Sequence, residues 1–229
     1  MDDQELLARV RALRAEGCTP KRVAAVLGVA SGEASRLVRH VAHEDASRAP
    51  EPPVVGCWVS PGWSEGLGAP ADWPDTDVPA GIGHGIVSVL VAREHRRGKV
   101  SIAGYLVDVY CLGVKDALGP KVMDDADLRT YVRMYFLAYE APPLAAPIAM
   151  ARELVWGAVA YARDLGFEPH PDFEQTAGHL GAWAPTGAVR FGREGKPYFV
   201  AGPRDSATRI LRTSERSVGE GNFHYLVAV

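Results

Sequence analysis

Long apolar runs are missing from this 229-residue chain, and no basic-then-apolar leader opens it. A membrane-spanning helix needs about 18 such residues in a row, so neither a span nor a secretory signal is expected, and the expected setting is the cytoplasm. Cysteine is scarce: Cys18, Cys57 and Cys111 are odd in number and far apart, which fits neither a disulfide framework nor a CxxC zinc site, so all three read as reduced thiols. No GxGxxG follows a strand-like run and no GxxxxGK[ST] occurs, which removes the common nucleotide-binding signatures. Glu174 and His179 stand five residues apart, the wrong spacing for the HExxH zinc pattern. Internal repeats are absent too. What remains is a globular composition, 47% hydrophobic and 23% charged, in a chain long enough for one ordinary domain and a small module.

A net charge of −3 argues by itself against a nucleic-acid partner, but the charge is unevenly placed. Residues 9 to 43 hold seven basic side chains against the two acidic ones, Glu16 and Glu33, a local balance of +5 that a phosphate backbone attracts. Leu6, Leu7, Val10 and Leu13 recur at helical spacing, which predicts an amphipathic helix over 3–15 ended by Gly17. Thr19-Pro20 reads as an N-cap followed by proline at the first helical position, opening a helix that stops at Gly28. Ser31 is expected to cap a third helix running to Ala42.

The stretch PKRVAAVLGVASGEASRLVR resembles the helix-turn-helix DNA-binding family. Ala24 stands where that family wants a small residue between crossing helices, Gly28 where its turn wants positive φ, and Val23, Leu27, Val29, Ala34 and Leu37 at its core positions. The resemblance covers about a fifth of the chain. It implies that the third helix enters the major groove of double-stranded DNA with Ser31, Gly32, Ser35, Arg36 and Arg39 toward bases or phosphates, while Lys21 and Arg22 clamp the backbone. Glu33 departs from that picture: a carboxylate there repels phosphate unless it accepts from a cytosine amino group. Docking on a protein is the competing reading of the same three helices.

Residues 44–53 carry three prolines and no periodicity, and read as an extended spacer before a second domain at 54–229. VVGCWVS is a first strand, followed by a Gly/Pro/Trp-rich loop at about 61–85, too long for a plain connection and therefore a disordered insert or a lid. Trp63 and Trp73 in it are expected to be exposed, which favours the lid or an interface. IVSVLVAR and KVSIAGYLVDVYCLGV (99–114) read as a hairpin whose second strand, centred on GYLVDVYCLGVKD, organises the rest. Amphipathic DADLRTYVRMYFLAYE (125–140) and apolar APIAMARELVWGAVAYARDLG (146–166) are helices, the latter buried across the sheet. Residues 187–202 read as another hairpin, 206–219 as a helix and NFHYLVAV as a last strand. Strands and helices mix without regular alternation, which predicts α+β. Cys57-Trp58, VLVAR, LVDVYCLGVKDA, GFEPHPDF and VGEGNFHYL resemble segments of a bacterial family, a resemblance that carries no chemistry.

Four side chains stand out as candidates for catalysis. Asp108, charged on an apolar strand, must be paired, metal-bound or raised in pKa; Lys115 or Arg93 would pair with it, or Asp116 would share a divalent ion with it. His170 and Asp172 lie in GFEPHPDF, between prolines that stiffen the loop. Cys111, among apolar neighbours, reads as a small buried hydrophobe. A basic run from Arg190 to Arg216 balances to +4 and is either a second phosphate-facing surface or a solvated face.

Two functions follow. The first is a transcriptional regulator that binds double-stranded DNA as a homodimer and uses its α+β domain to dimerise or to sense a small-molecule effector, with no cofactor and no membrane partner. The second is a metal-dependent nucleic-acid-processing enzyme using Asp108, Asp116, His170 and Asp172, with a divalent metal as its cofactor. A domain that serves only as a protein-interaction platform is a third.

Overall fold

The computed structural model describes residues 3–48, 51–75, 85–203 and 205–227, and its contacts divide the chain into two units, Met1–Glu51 and Pro52–Val229. The first unit contains α1 (Asp3–Ala15), α2 (Pro20–Leu27) and α3 (Ser31–Arg48). Val10, Val23, Ala24, Ala34 and Val41 form its core, flanked by Leu7, Leu13, Leu27 and Leu37. Gly28 closes α2 at φ 67° with its N–H on the Ala24 carbonyl, a left-handed conformation that costs a side-chain-bearing residue about 1–2 kcal/mol. Two details differ from expectation. The Ala34 N–H bonds the Ala30 carbonyl, so Ala30 holds the cap position one residue before the expected serine. The third helix also runs on to Arg48, into the expected spacer, because residues 43–48 contain no proline and Pro50 is the first to forbid helix.

The second unit is α+β. A five-stranded antiparallel sheet has the order β4-β3-β2-β1-β5, from β1 (Val54–Val59), β2 (Ile86–His95), β3 (Lys99–Asp108), β4 (Gly113–Asp124) and β5 (Leu144–Ala145). The period-two pattern sorts two faces. Val87, Val89 and Val91 with Ala103, Tyr105 and Val107 meet the helical run α5 (Ile148–Arg152), a π turn (Glu153–Gly157) and α6 (Ala158–Asp164), together with α7 (Phe173–Leu180). Leu90, Ala92, Val100 and Ile102 face α4 (Leu128–Tyr135), Phe136 and Tyr139. The helix expected over 125–140 is shorter, since β4 reaches Asp124 and Asp125–Asp127 form a 3-10 turn.

The expected central strand, 99–114, is broken. β3 ends at Asp108, residues 109–112 turn, and Gly113 starts β4 at φ 69°. The cause is Asp108 itself: its Oδ1 accepts the N–H groups of Tyr110 and Cys111, both at 2.9 Å, a side-chain cap that competes with continued strand. Trp63 is also buried rather than exposed, 2% accessible, with its indole N–H on the Pro74 carbonyl at 2.8 Å and its ring 5.9 Å from that of Trp73. Residues 60–63 are thus buried, and Leu67, Ala69 and Trp73 pack against the core from a half-buried position; residues 76–84 of the expected lid lie outside the described residues. Nor do residues 187–202 pair as a hairpin. Arg193 and Lys196 bridge a tight turn, but β6 (Tyr198–Val200) pairs in parallel with β7 (His224–Leu226), beyond α8 (Ala207–Val218).

Candidate functional site

Two surfaces carry the predicted functional residues, one in each unit. In the first, Thr19 Oγ1 accepts the Arg22 N–H at 3.4 Å and sets the start of α2, leaving Lys21 and Arg22 exposed on its first turn. Along α3, Ser31, Gly32, Arg36 and Arg39 are exposed and Ser35 is half-buried, while Ala34 and Val41 turn inward. Arg39 steadies itself by donating from Nε to the Ser35 carbonyl at 3.3 Å. Glu33 and Arg36, three residues apart, line one small depression with Leu37 and His40.

In the second unit, three of the four catalytic candidates come together. Ligand-capable atoms of Asp116, His170 and Asp172 all lie within 4.8 Å of one another. Pairing between β3 and β4 shifts register between Leu106/Asp116 and Val107/Val114, so Lys115 is the extra residue of a bulge. A bulge re-aims side chains. Here Lys115 Nζ reaches Asp205 Oδ2 at 2.6 Å, and the exposed Asp116 joins the loop that contains His170. That loop is tied to the same strand by the His170 N–H on the Val114 carbonyl, 2.9 Å. Phe173, 4% exposed, anchors its far end against Trp156 and Tyr105. Asp172 stands at the cap position of α7 without making a side-chain cap bond; its Oδ2 lies 3.7 Å from His170 Nδ1.

Asp108 is not in this cluster. It is 3% exposed and bonded to backbone, and burial pushes its carboxyl up to about 6, against the opposing pull of the Tyr110 N–H and the Lys115 charge. The partners expected for it are engaged elsewhere. Lys115 pairs with Asp205, whose Oδ2 also accepts the Gly202 N–H at 2.8 Å, and Arg93, 3% exposed, donates to the carbonyls of Pro52, His179 and Leu180 at 2.6, 2.6 and 2.9 Å. His179 is no ligand either. Its Nε2 lies 3.2 Å from the Val91 carbonyl, and burial, with Arg93 nearby, lowers its pKa. Burial likewise lifts the Cys111 thiol to about 12, which leaves it inert as a nucleophile.

Sequence reasoning missed one buried and one half-buried charge. Glu153, 4% exposed in the π turn, accepts from the Trp183 indole at 2.9 Å and the Ala188 N–H at 3.2 Å. Asp205 reads in the sequence only as part of a charge run, since Arg204 and Ser206 flank it and no local pattern marks it. Between β4, the 166–170 loop and α8 lies a cavity of about 370 Å³ lined in part by Lys115, His170, Asp205, Arg209 and Thr213. Comparison with known protein families, with curated proteins and with solved structures found no match to the chain.

Proposed function

We propose that the chain is a DNA-binding protein, a cytoplasmic transcriptional regulator, in which the three-helix unit docks on double-stranded DNA and the α+β unit dimerises or senses a ligand. The carrying observation is the face formed by Lys21, Arg22, Ser31, Gly32, Arg36 and Arg39, all exposed, behind which α2 and α3 cross on Ala24 and Ala34. Small residues at the start of α3 let its backbone approach base edges, and the flanking guanidinium and ammonium groups supply positive charge for phosphates. A single module of this size binds weakly, which is why two copies on paired half-sites complete the reading.

Selection of bound duplexes from a randomised pool tests it. Wild type should enrich one short motif, and Arg36→Ala should relax the preference at one position and cost about 1–3 kcal/mol of affinity for the enriched sequence. Failure to enrich any motif refutes the reading. Metal-dependent cutting of nucleic acid is the alternative, favoured by the convergence of Asp116, His170 and Asp172 although Asp108 has dropped out of the set. Loss of full-length duplex on adding Mn²⁺ to the same binding reactions identifies it.

A further inference from the structure

We propose that Asp116, His170 and Asp172 form a binding site for a first-row divalent cation of the Mn²⁺ or Zn²⁺ type, with coordination positions left open to the neighbouring cavity. The inference stands on the second unit alone and holds whether or not the first unit binds DNA. Two segments deliver the donors: the bulged strand β4 supplies Asp116, and the proline-containing loop that leads into α7 supplies His170 and Asp172. Around an ion with bonds of about 2.1 Å, donor atoms stand ~3 Å apart when adjacent and ~4 Å when opposite. A cluster already within 4.8 Å closes on an ion through small rotations of three accessible side chains.

The charge balance points the same way. Two carboxylates share the site, and among the described residues no lysine or arginine pairs with either; the lysine adjacent in sequence, Lys115, is committed to Asp205. Nor is Asp172 used to cap its helix. Two carboxylates with no lysine or arginine partner leave a local negative charge that a divalent ion offsets.

Donor chemistry selects the ion. One imidazole nitrogen with two carboxylate oxygens suits Mn²⁺, Fe²⁺ or Zn²⁺ better than Ca²⁺ or Mg²⁺, which favour oxygen alone. Three protein ligands are also too few to close the coordination sphere, the arrangement of a site that takes an exogenous ligand. His170 lines cavities on two sides. One, of about 370 Å³, sets Lys115 and Arg209 beside Asp205 and Glu168; the other is lined in part by Trp156, Glu168 and Glu174. Arg209, the cation of the first cavity that is not paired with Asp205, suits an oxyanion, a phosphate or carboxylate group, as the ligand that completes the ion.

The test is calorimetric titration of the chelator-treated full chain with MnCl₂, ZnCl₂ and MgCl₂. Wild type should take up one equivalent of Mn²⁺ or Zn²⁺ at least tenfold more tightly than Mg²⁺. Asp116→Asn, His170→Gln and Asp172→Asn should each weaken that uptake at least tenfold with unchanged melting of the metal-free protein, and Glu94→Gln, exposed near the end of β2 and outside both cavities, should leave it unchanged. Inorganic phosphate should bind tighter in the presence of the ion than in its absence. No saturable uptake, or uptake that all three variants retain, overturns the site and marks the binding as an adventitious ion only. Should a variant fail to fold, sub-stoichiometric Mn²⁺ added to wild type should broaden the NMR signals of the His170 ring and the Trp156 indole first. Equal sharpness of both would likewise overturn it.

Discussion

Replacing Asp108 by asparagine should make the protein more stable at neutral pH, the reverse of what a metal ligand or salt-bridge partner would show. The carboxyl is pushed by burial from its ordinary 3.8 to about 6. At 1.36 kcal/mol for each pH unit, ionising it inside the fold costs about 3 kcal/mol. A carboxyl that holds its proton more tightly folded than unfolded contributes stability in full below about pH 4, and loses it as the pH rises through about 6. Linkage places about 2 of those 3 kcal/mol between pH 4.5 and 7.5. Asparagine keeps the Oδ1 acceptor for the Tyr110 and Cys111 N–H groups and has nothing to ionise. Alanine removes the acceptor and strands two buried N–H groups, at about 1–3 kcal/mol each. Urea unfolding of wild type, Asp108→Asn and Asp108→Ala across that pH range reads all three terms. Wild type should lose about 2 kcal/mol relative to Asp108→Asn between pH 4.5 and 7.5, and Asp108→Ala should be the least stable at pH 4.5. Parallel curves for wild type and Asp108→Asn would refute the reasoning.

Arg93→Met should destabilise by about 3–5 kcal/mol, because one buried guanidinium satisfies the Pro52, His179 and Leu180 carbonyls together; chemical denaturation checks this, and a loss below 1 kcal/mol would show that the carbonyls find other partners. Lys115→Met leaves Asp205, 13% exposed, with only the Gly202 N–H as a partner among the described residues, and should cost about 2 kcal/mol at neutral pH. Lys115→Met combined with Asp205→Leu should recover most of that loss in a double-mutant cycle, and no recovery would place the cost elsewhere.

The first unit was legible because its signals are local. The Thr19-Pro20 start, the Gly28 stop and the three-and-four spacing of Leu6, Leu7, Val10 and Leu13 each act within a few residues, and a helix forms from such information. The α+β class and the β2–β3 hairpin were legible for the same reason: β-branched alternation with a Gly98 turn between. What failed was long-range or side-chain driven. An apolar run from Gly104 to Asp116 reads as one strand until the Asp108 carboxylate takes two backbone N–H groups and folds the run back on itself. β6 and β7 pair across a whole helix, which no local pattern announces. At the candidate site, the residue types were visible, but their meeting depended on a one-residue bulge at Lys115 that is invisible to alternation counts. Asp108 drew suspicion for the right physical reason, burial of a charge, with the partner misjudged: backbone rather than cation.

The most direct test of DNA recognition is the salt dependence of binding by the full chain, measured by fluorescence anisotropy on duplex DNA for wild type and for the combined Lys21→Ala, Arg22→Ala and Arg39→Ala variant. Each lost phosphate contact should lower the slope of log affinity against log salt by about 0.9, so a slope reduced by nearly 3 and weaker binding at every salt concentration is the predicted result. Equal slopes and equal affinities for the two proteins would contradict the proposal that this helical face meets DNA.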